Sequence, residues 1–492
     1  MKYEPTIGLE IHAELKTKSK MFCSCSNALG LEKEPNVNIC PVCTGQPGTL
    51  PVINEEAVHM VLKAGLALGG KIGDDSKFDR KNYFYPDLPK GYQISQYDKP
   101  LVEGGYLDSG EGSEKNRVRL TRIHLEEDTG KLVHPKGALY SLVDLNRAGL
   151  PLMELVTEPD IKSGAQARKF CQELQLIFRY LKISDADMEK GQMRCEVNIS
   201  ISEPGAKKLG TKVEIKNLNS FKVVEKAIDY EIKRQAEALE SGEKIVQETR
   251  GWDDASGTTF SQRIKEEAHD YRYFPEPDLP PLQGLVALSE ELKKEIPELP
   301  AQRRARFIEE YNLSAADAET FAVNFELGNY FEKVVSEIKN WAEDAQPKID
   351  TTKAVKLAGN YLITELQKLM YQSEIELSGI KITPENFAEF IKLAAQGVVS
   401  SSGAQAVLAE MFKTGADPSH IVKEKDLGQV SDEEELNAAV REAISANPGP
   451  VADYKKGKQN SLMFLVGKIM AATKGKANPQ MVISLLKKEL EK

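Results

Sequence analysis

The sequence lacks the local motifs by which the commonest nucleotide-binding and hydrolytic enzymes are identified. It contains no G-x-x-x-x-G-K-[ST] motif, so a nucleotide would not be held by a Walker loop. It contains no G-x-S-x-G motif, and no Ser- and Gly-rich run with a partner lysine. The chain therefore offers no evident nucleophile for hydrolysing an amide.

Long apolar runs are also absent. No segment approaches the roughly 18 apolar residues that a membrane helix needs, and the first residues, Met1–Pro5, do not resemble a signal peptide. We expect a cytoplasmic protein with no membrane association. The formal net charge of -10 excludes general attraction to nucleic acid, so RNA binding would need local basic patches. A length of 492 residues is too great for one core and predicts roughly three domains.

Only six cysteines are present, which is too few for a disulfide framework in a chain of this size. Four of them form a C-x-C…C-x-x-C pattern in residues 23–43, namely Cys23, Cys25, Cys40 and Cys43. Two closely spaced pairs of thiolates suit tetrahedral zinc, and a site with all four positions filled would be structural. Independently buried cysteines, or a redox pair at Cys40 and Cys43, are the alternatives. Cys171 and Cys195 are predicted to be core thiols.

The most informative stretch is residues 7–15, which alternates with the period of a strand. One face is apolar, whereas the other carries Gly8, Glu10, His12 and Glu14. Clustered carboxylates and an imidazole suit a divalent cation, although a charged face exposed to water explains the same pattern.

Two further segments add acidic residues. The strand predicted over residues 117–128 ends in three adjacent acids, and its phase slips as a β-bulge would make it slip. Alternation alone does not choose between Glu126 and Glu127. Glu154 lies inside a continuous apolar run, so it is expected to be buried and therefore paired, protonated or metal-bound. On an edge strand it would instead point to water.

Two more alternating strands carry Glu196 and Glu214 on their polar faces, and basic residues accompany the acids in the same strands and loops. Acids to hold Mg²⁺ together with basic groups to hold phosphates are typical of phosphoryl-transfer sites. The basic residues are Arg80, Lys81, Arg147 and Lys212. The loop around residues 78–96 interleaves such residues with aromatic rings, which fits either base stacking or a packed aromatic loop.

Beyond about Val286 the pattern becomes helical, and the fold class is α+β. We expect a β-rich domain with an antiparallel sheet over residues 1–290, a helical domain over 291–400 and a small helical tail over 401–492. The tail ends in a lysine-rich segment that predicts an RNA-backbone contact, although a solvated face is an equal alternative. The lysines are Lys455, Lys456, Lys458, Lys468, Lys474 and Lys476.

The chain resembles the B subunits of bacterial aspartyl/glutamyl-tRNA(Asn/Gln) amidotransferases. The motifs that carry the resemblance lie in residues 7–15, 80–96, 124–128, 144–159 and 271–278. The resemblance extends over the whole chain. It implies a cradle-shaped β-rich domain, a helical domain and a tail that binds tRNA. The cysteine pattern is similar to that of the zinc-containing members, and since other members lack it, zinc is not expected to be essential for catalysis.

The resemblance also implies the chemistry. The γ-phosphoryl group of ATP would be transferred to the side-chain carboxylate of Glu on tRNA(Gln) or Asp on tRNA(Asn). Ammonia from an amidase (A) subunit, in a complex with a small (C) subunit, would then displace phosphate. Catalytic roles are assigned to Glu10, His12, Lys81, Glu127 and Glu154. All of these except Lys81 are also assigned to Mg²⁺, with Glu196 and Glu214 as weaker magnesium ligands. Lys81 is placed near the phosphates or the mouth of the ammonia channel, and ATP is assigned to Arg80, Asn146, Arg147 and Lys212. The resemblance favours Glu127 over Glu126.

Two other functions remain possible on the sequence. One is a non-catalytic tRNA-binding scaffold, for which substitution of Glu10 or Glu154 would leave activity intact. The other is a metal-dependent hydrolase with water activated between Glu10, His12 and Glu154. The sequence does not decide whether Asp or Glu is the main substrate, nor which residues contact the adenine.

Overall fold

The structure is a computed structural model that describes residues 2–27, 34–110, 116–264, 271–342, 350–429, 433–473 and 476–490. The chain divides into two compact units, Met1–Pro300 and Ala301–Lys492. The first contains the strands and the second is helical, so the predicted α+β class is confirmed.

The described strands all belong to the first unit. In chain order they are β1 (Glu4–Glu14), β2 (Lys71–Ile72), β3 (Asp75–Ser76), β4 (Asp79–Asn82), β5 (Tyr92–Ser95), β6 (Val102–Glu103), β7 (Tyr106–Ser109), β8 (Asn116–Glu127), β9 (Lys131–Val133), β10 (Leu142–Asp144), β11 (Pro151–Thr157), β12 (Met193–Ser202), β13 (Val213–Leu218), β14 (Glu248–Asp253), β15 (Thr258–Ile264), β16 (Phe274–Pro275) and β17 (Leu282–Gln283).

Ten of these strands form one large sheet, in the order β15-β14-β13-β12-β1-β11-β8-β6-β2, with β7 also paired to β8. The neighbouring pairs are antiparallel except β13 and β14, which are parallel. The predicted antiparallel sheet is therefore confirmed with this one exception. Smaller sheets pair β9 with β10, β3 with β17, and β4 with β16 on one side and β5 on the other. Strand β1 lies in the interior of the large sheet, so both of its edges are hydrogen-bonded.

The helices of the first unit are α1 (Glu55–Ala67), α2 (Gly164–Tyr180), α3 (Phe221–Glu240) and α4 (Leu285–Leu292). Those that follow are α5 (Pro300–Tyr311), α6 (Ala315–Val323), α7 (Phe325–Ala342), α8 (Thr351–Asn360), α9 (Gln367–Ser373), α10 (Pro384–Ala395), α11 (Ser401–Thr414), α12 (Pro418–Glu424), α13 (Glu433–Ala446), α14 (Pro448–Lys455), α15 (Asn460–Ala472) and α16 (Pro479–Leu490). A π-helical segment, Tyr361–Leu366, joins α8 to α9.

The apolar face of the large sheet is covered by helices. Ile11 of β1 belongs to one buried cluster with Val61 of α1, Phe170 of α2 and Val224 of α3. The helices begin where side chains cap them; Asn54, for example, accepts a hydrogen bond from the backbone N–H of Ala57 at 3.3 Å. Because successive side chains of a strand alternate between faces, this packing leaves the polar residues of β1 on the opposite face.

The second unit contains two buried apolar clusters. One extends from Phe307 to Val422 and the other from Leu436 to Leu490. The expected division at residue 400 into a helical domain and a tail stays a prediction. Among the described residues, no helix is both long enough and apolar enough to cross a membrane.

Candidate active site

His12, Glu154 and His124 lie side by side on three neighbouring strands. His12 of β1 pairs with Glu154 of β11, which in turn pairs with His124 of β8. Oε2 of Glu154 lies 3.4 Å from Nε2 of His12 and 3.2 Å from Nε2 of His124. The sheet register therefore places one carboxylate between two imidazoles.

Glu10 and Glu126 flank this row. Their Oε1 atoms lie 3.8 Å and 3.9 Å, respectively, from Nε2 of His12. Ligand atoms of Glu10, His12 and Glu154 all lie within 4.8 Å of one another, as do those of His124, Glu126 and Glu154. We call these five residues the histidine–carboxylate cluster. Its oxygen-rich donor set and spacing fit a divalent cation, which takes carboxylate ligands at about 2.0–2.6 Å.

The carboxylates and imidazoles of the cluster stabilise each other's charged forms. Burial opposes ionisation of Glu154, but the imidazoles of His124 and His12 hold the pKa of its carboxyl well below the usual range. Burial also acts against protonation of His124, yet Glu154 and Glu126 raise its pKa to about 9. The pKa of Glu10 is raised by burial and by the charge of Glu154. Without a cation, protonated imidazoles therefore balance the carboxylates.

Lys81 of β4 adds a cation to this site. Its ammonium lies 5.1 Å from the ring centre of Tyr271 and 5.9 Å from that of Tyr83. Burial acts to lower the pKa of Lys81, but nearby charges, chiefly that of Glu126, raise it above its ordinary value. Lys81 is thus charged and held by aromatic rings, as expected for a residue that neutralises phosphate or carboxylate.

Glu127, to which the sequence analysis assigned magnesium, does not join the cluster. Its carboxylate accepts hydrogen bonds from Lys90 Nζ at 2.6 Å and from the backbone N–H of Ile94 at 2.9 Å. Adjacent residues of a strand point to opposite faces, so β8 brings either Glu126 or Glu127 to the row, but not both. The structure brings Glu126, and Glu127 instead borders a cleft that Cys23 and Cys43 also line.

Glu196 and Glu214 lie further along the same face of the sheet. Neither belongs to the groups of described residues whose side chains are close enough to share a metal ion. Glu196 pairs with Glu10 across β1 and β12, and it accepts a hydrogen bond from Lys216 Nζ at 2.7 Å. Glu214 accepts one from Thr249 Oγ1 at 2.7 Å. Lys216, which the sequence did not single out, neutralises this part of the face.

Two of the predicted ATP ligands occupy unlike environments. The guanidinium of Arg80 donates to both carboxylate oxygens of Glu276, at 2.7 Å and 2.8 Å, and its Cζ lies 4.2 Å from the ring centre of Tyr92. Glu276 is buried, so Arg80 contributes to the fold through this pair. Lys212 is exposed, immediately before β13.

The other two predicted ATP ligands, Asn146 and Arg147, form hydrogen bonds to the backbone of neighbouring loops. The side chain of Asn146 accepts from the backbone N–H of Asn38 at 2.9 Å and donates to the carbonyl of Glu34 at 2.7 Å. Arg147 donates to the carbonyls of Thr129 and Gly130 at 3.0 Å and 2.7 Å. These bonds order the cysteine loop and the segment after β8; they do not bring either residue into the histidine–carboxylate cluster.

The four cysteines of residues 23–43 come together as predicted, with their Sγ atoms all within 4.8 Å. Sγ of Cys40 and Cys43 are 3.9 Å apart, and tetrahedral zinc with bonds of about 2.3 Å requires sulfurs about 3.8 Å apart. Hydrogen bonding to Cys23, helped by the backbone N–H of Cys40 and the ammonium of Lys20, lowers the pKa of the Cys43 thiol to about 4. The four sulfur donors and their spacing fit zinc. Cys171 and Cys195 are buried in the core, as predicted.

The described members of the predicted RNA-binding lysines lie in or near helices of the second unit. Lys455, Lys456 and Lys458 are exposed near the end of α14, and the ammonium of Lys468 on α15 lies 5.4 Å from the ring centre of Phe464. Lys476 pairs with Asp426. Lys474 lies outside the described residues.

Sequence reasoning missed His124 as a member of the cluster. A signal was present, since His124-x-Glu126 in β8 has the same two-residue spacing as Glu10-x-His12 in β1. The β-bulge predicted in this strand is confirmed: Val156 pairs with Arg122, but Thr157 pairs with Leu120, so the pairing skips Thr121. After the bulge Leu125 is buried in the apolar core, which puts its neighbours on the site face.

The fold and this cluster define a catalytic unit built on a mostly antiparallel sheet and followed by a helical unit. Comparison with known proteins agrees. Residues 5–289 match the family model described as the GatB/GatE catalytic domain, and residues 329–490 match the model described as the GatB domain.

Three relatives illustrate the similarity, and each is named as the B subunit of aspartyl/glutamyl-tRNA(Asn/Gln) amidotransferase. That of Caldicellulosiruptor bescii is 49% identical over 495 residues, that of Persephonella marina 49% over 491, and that of Thermotoga sp. (strain RQ2) 48% over 495. The matches cover 100% of this chain and 100% of each relative. The chain therefore belongs to the family of B subunits of aspartyl/glutamyl-tRNA(Asn/Gln) amidotransferases, and the resemblance inferred from its motifs is confirmed.

Proposed function

We propose that this chain activates the side-chain carboxylate of misacylated Glu-tRNA(Gln) or Asp-tRNA(Asn) with ATP, and that amidation follows within a glutamine-dependent amidotransferase, a ligase. The single observation that carries the proposal is the row His12–Glu154–His124 with Glu10 and Glu126 beside it. Five potential ligands on one face of a sheet exceed what the stability of the fold requires. Family membership supplies the reaction class.

Magnesium suits this site, and its ligands would be Glu10, His12 and Glu154, with Glu126 in place of Glu127. When bound, Mg²⁺ offsets the negative charge of the phosphates during transfer. Lys81 borders the same carboxylates, where its fixed positive charge would stabilise the γ-phosphoryl group or the approaching carboxylate. Glu196 and Glu214, which both lie near Lys216, would adjust the electrostatic potential at the edge of the site.

The chemistry explains why activation is needed. A carboxylate is inert to ammonia, whereas an acyl phosphate is not. A carboxylate oxygen of the substrate bonds to the γ-phosphorus as the bond to ADP breaks. The nitrogen of ammonia then bonds to the carbonyl carbon, phosphate leaves, and the nitrogen loses a proton. His124, Glu126 and Glu154 are buried, so little bulk water reaches this part of the cluster.

Partners must supply what this chain lacks. Its sequence offers no nucleophile for releasing ammonia from glutamine, so we assign that step to an amidase (A) subunit, in a complex that also contains a small (C) subunit. The exposed tail lysines near α14 and α15 are the proposed contact with the tRNA backbone. The four cysteines of the 23–43 loop would hold structural Zn²⁺.

The test uses the complete complex with ATP, Mg²⁺ and Glu-tRNA(Gln), but without glutamine. We expect ADP release that depends on the aminoacyl-tRNA and that falls by about 100-fold or more in Glu154→Gln, since a charge-compensating ligand contributes several kcal/mol to such a transition state. The matched control is Glu158→Gln, whose carboxylate accepts a hydrogen bond from Thr121 Oγ1 outside the cluster. ADP release that Glu154→Gln leaves unchanged would refute the assignment.

The same assay separates the rivals. A tRNA-binding scaffold predicts that Glu154→Gln retains full activity, whereas loss of the tail lysines abolishes it. A metal-dependent hydrolase predicts release of glutamate or aspartate from tRNA without any requirement for ATP. The proposed activation predicts loss of ADP release with tRNA affinity retained.

A further inference from the structure

Arg194 of β12 lies beside the histidine–carboxylate cluster, although no step described above uses it. In the sheet register Arg194 pairs with His12 of β1, so the two side chains share one face. Its Nη2 donates to Oδ2 of Asp128 at 2.9 Å. Asp128 is only 3% exposed, which gives the guanidinium a fixed anchor.

The guanidinium of Arg194 is hydrogen-bonded to Asp128 through Nη2, but another of its nitrogens lacks a hydrogen-bond acceptor. Nε of Arg194 is buried and has no hydrogen-bond partner among the described residues. The side chain as a whole is 37% exposed, so the rest of it reaches open space. A buried cationic donor without an acceptor is unfavourable, so Arg194 is not fully satisfied by Asp128 alone. The exposed part of the guanidinium is the part that a ligand carboxylate can reach.

The surroundings also call for a cation at this position. Asp128, Glu14 and Glu126 are the charges that hold Arg194 in its protonated form. An incoming substrate carboxylate meets the carboxylates of Glu10, Glu126 and Glu154 and would be repelled unless positive charge compensates. Lys81 belongs to β4 and lies close to tyrosine rings, whereas Arg194 belongs to β12. The two cations come from different strands, so they can serve two different anionic groups.

We propose that Arg194 binds the side-chain carboxylate of the amino acid carried by the tRNA, and that Asp128 is its positioning residue. The planar guanidinium fork is the protein group best suited to a carboxylate, which it binds through two parallel N–H donors. This inference rests on the proposed function and deepens it: Arg194 selects an acidic side chain and presents it to the cluster. The amide product has no charge for Arg194 to pair with, so the same contact favours product release.

The experiment compares variants of the complete complex in aminoacyl-tRNA-dependent ADP release. Arg194→Gln is expected to lower kcat/KM for Glu-tRNA(Gln) by about tenfold or more, as loss of a charge-assisted hydrogen bond predicts. Nucleotide affinity, measured with ATP and Mg²⁺ in the absence of tRNA, is expected to stay within about twofold because the phosphates are held elsewhere. Arg119→Gln is the matched control, since Arg119 forms a similar pair with Asp160 but is exposed and outside the cluster.

Two further measurements separate binding from a purely structural role. Guanidinium ion added to Arg194→Ala is expected to restore part of the ADP release, because it occupies the vacated position, whereas it does nothing for Glu154→Gln. Arg194→Lys keeps the charge and the anchor to Asp128 and is expected to retain intermediate activity; it also keeps the test valid if the smaller variants fold poorly.

Either of two results would overturn the inference. One is an unchanged kcat/KM for Glu-tRNA(Gln) in Arg194→Gln; the other is a parallel loss of nucleotide affinity, which would make Arg194 a phosphate ligand. Failure of the proposed function looks different, since the wild-type complex itself would then release no ADP in response to aminoacyl-tRNA.

Discussion

The carboxylates of Glu126 and Glu127 follow one another in β8 but are held by different partners. Glu126 accepts a hydrogen bond from Ser95 Oγ at 2.9 Å and lies 3.9 Å from Nε2 of His12, whereas Glu127 pairs with Lys90 Nζ at 2.6 Å. Only the first belongs to the row that the sheet assembles. Both residues are glutamates and both are buried, so they form a natural pair of controls.

The first prediction concerns this pair. Glu126→Gln is expected to weaken binding of Mn²⁺, used as a paramagnetic substitute for Mg²⁺, by about tenfold or more, because a ligand charge is lost. Glu127→Gln is expected to leave Mn²⁺ affinity within about twofold, since its partner is a lysine. Titration followed by electron paramagnetic resonance measures both. The opposite ranking would restore Glu127 as the ligand.

The second prediction concerns pH. His124 has a pKa raised from 6.5 to about 9: burial would lower it, but the carboxylates of Glu154 and Glu126 outweigh burial. His124 is not one of the proposed ligands, but its protonated Nε2 lies 3.2 Å from Oε2 of the ligand Glu154 and repels a cation bound there. Cation affinity should therefore rise between pH 7 and pH 9, and binding should release protons. Calorimetry in buffers of different ionisation enthalpy counts those protons. A cation affinity independent of pH in this range would contradict a cation site beside His124.

The same shift has a consequence for the metal-free protein. The folded state binds a proton on His124 that the unfolded state loses above pH 6.5. The resulting stabilisation is complete below that pH and is lost as the pH rises through about 9. His124→Asn should remove this part of the pH dependence of unfolding and leave the rest.

The third prediction separates a structural arginine from an ATP ligand. Arg80→Ala leaves the buried carboxylate of Glu276 without its bidentate partner and should lower the free energy of unfolding by roughly 2–3 kcal/mol. Arg117→Ala, which breaks an exposed pair with Asp108, should change it far less. Urea unfolding of the chain measures both. A stable Arg80→Ala protein with weakened ATP binding would return Arg80 to the nucleotide site.

The fourth prediction concerns the cysteine loop. The purified chain should contain about one zinc ion, as expected for a single four-thiolate site. Cys43→Ser should reduce the zinc content and the thermal stability, whereas Cys171→Ser, at a core thiol, should keep the metal. Mass spectrometry of the metal content provides the measurement. Zinc retained in Cys43→Ser, or absent from the wild-type chain, would contradict the assignment.

The sequence alone was sufficient to predict which residues share the polar face of β1. A strand packed on helices along one face must alternate, so the pattern of residues 7–15 places Glu10 and His12 together without further information. Glu154 was predicted for a related reason, because a carboxylate in an apolar run must find a buried partner. Family resemblance contributed the chemistry, which alternation cannot supply.

Other features depend on contacts that no local pattern reveals. The partner of Arg80 is Glu276, 196 residues away, and a basic residue between aromatic rings looks the same whether it binds phosphate or a buried acid. The structure groups Glu126 and not Glu127 with the row, because the phase of β8 after its bulge, which family resemblance did not take into account, decides which of the two faces His12. The anchor of Arg194 on Asp128 likewise depends on strand order, which places β12 and β8 on either side of β1 and β11.

The central claim, that this site activates a carboxylate by phosphorylation, can be tested by following oxygen atoms. Glu-tRNA(Gln) labelled with ¹⁸O in its side-chain carboxylate is incubated with the complete complex, ATP, Mg²⁺ and glutamine, and the released phosphate is analysed by mass spectrometry. The account predicts one labelled oxygen in each phosphate formed, and no labelled phosphate with Glu154→Gln. Phosphate that carries no label while the amide forms would contradict it.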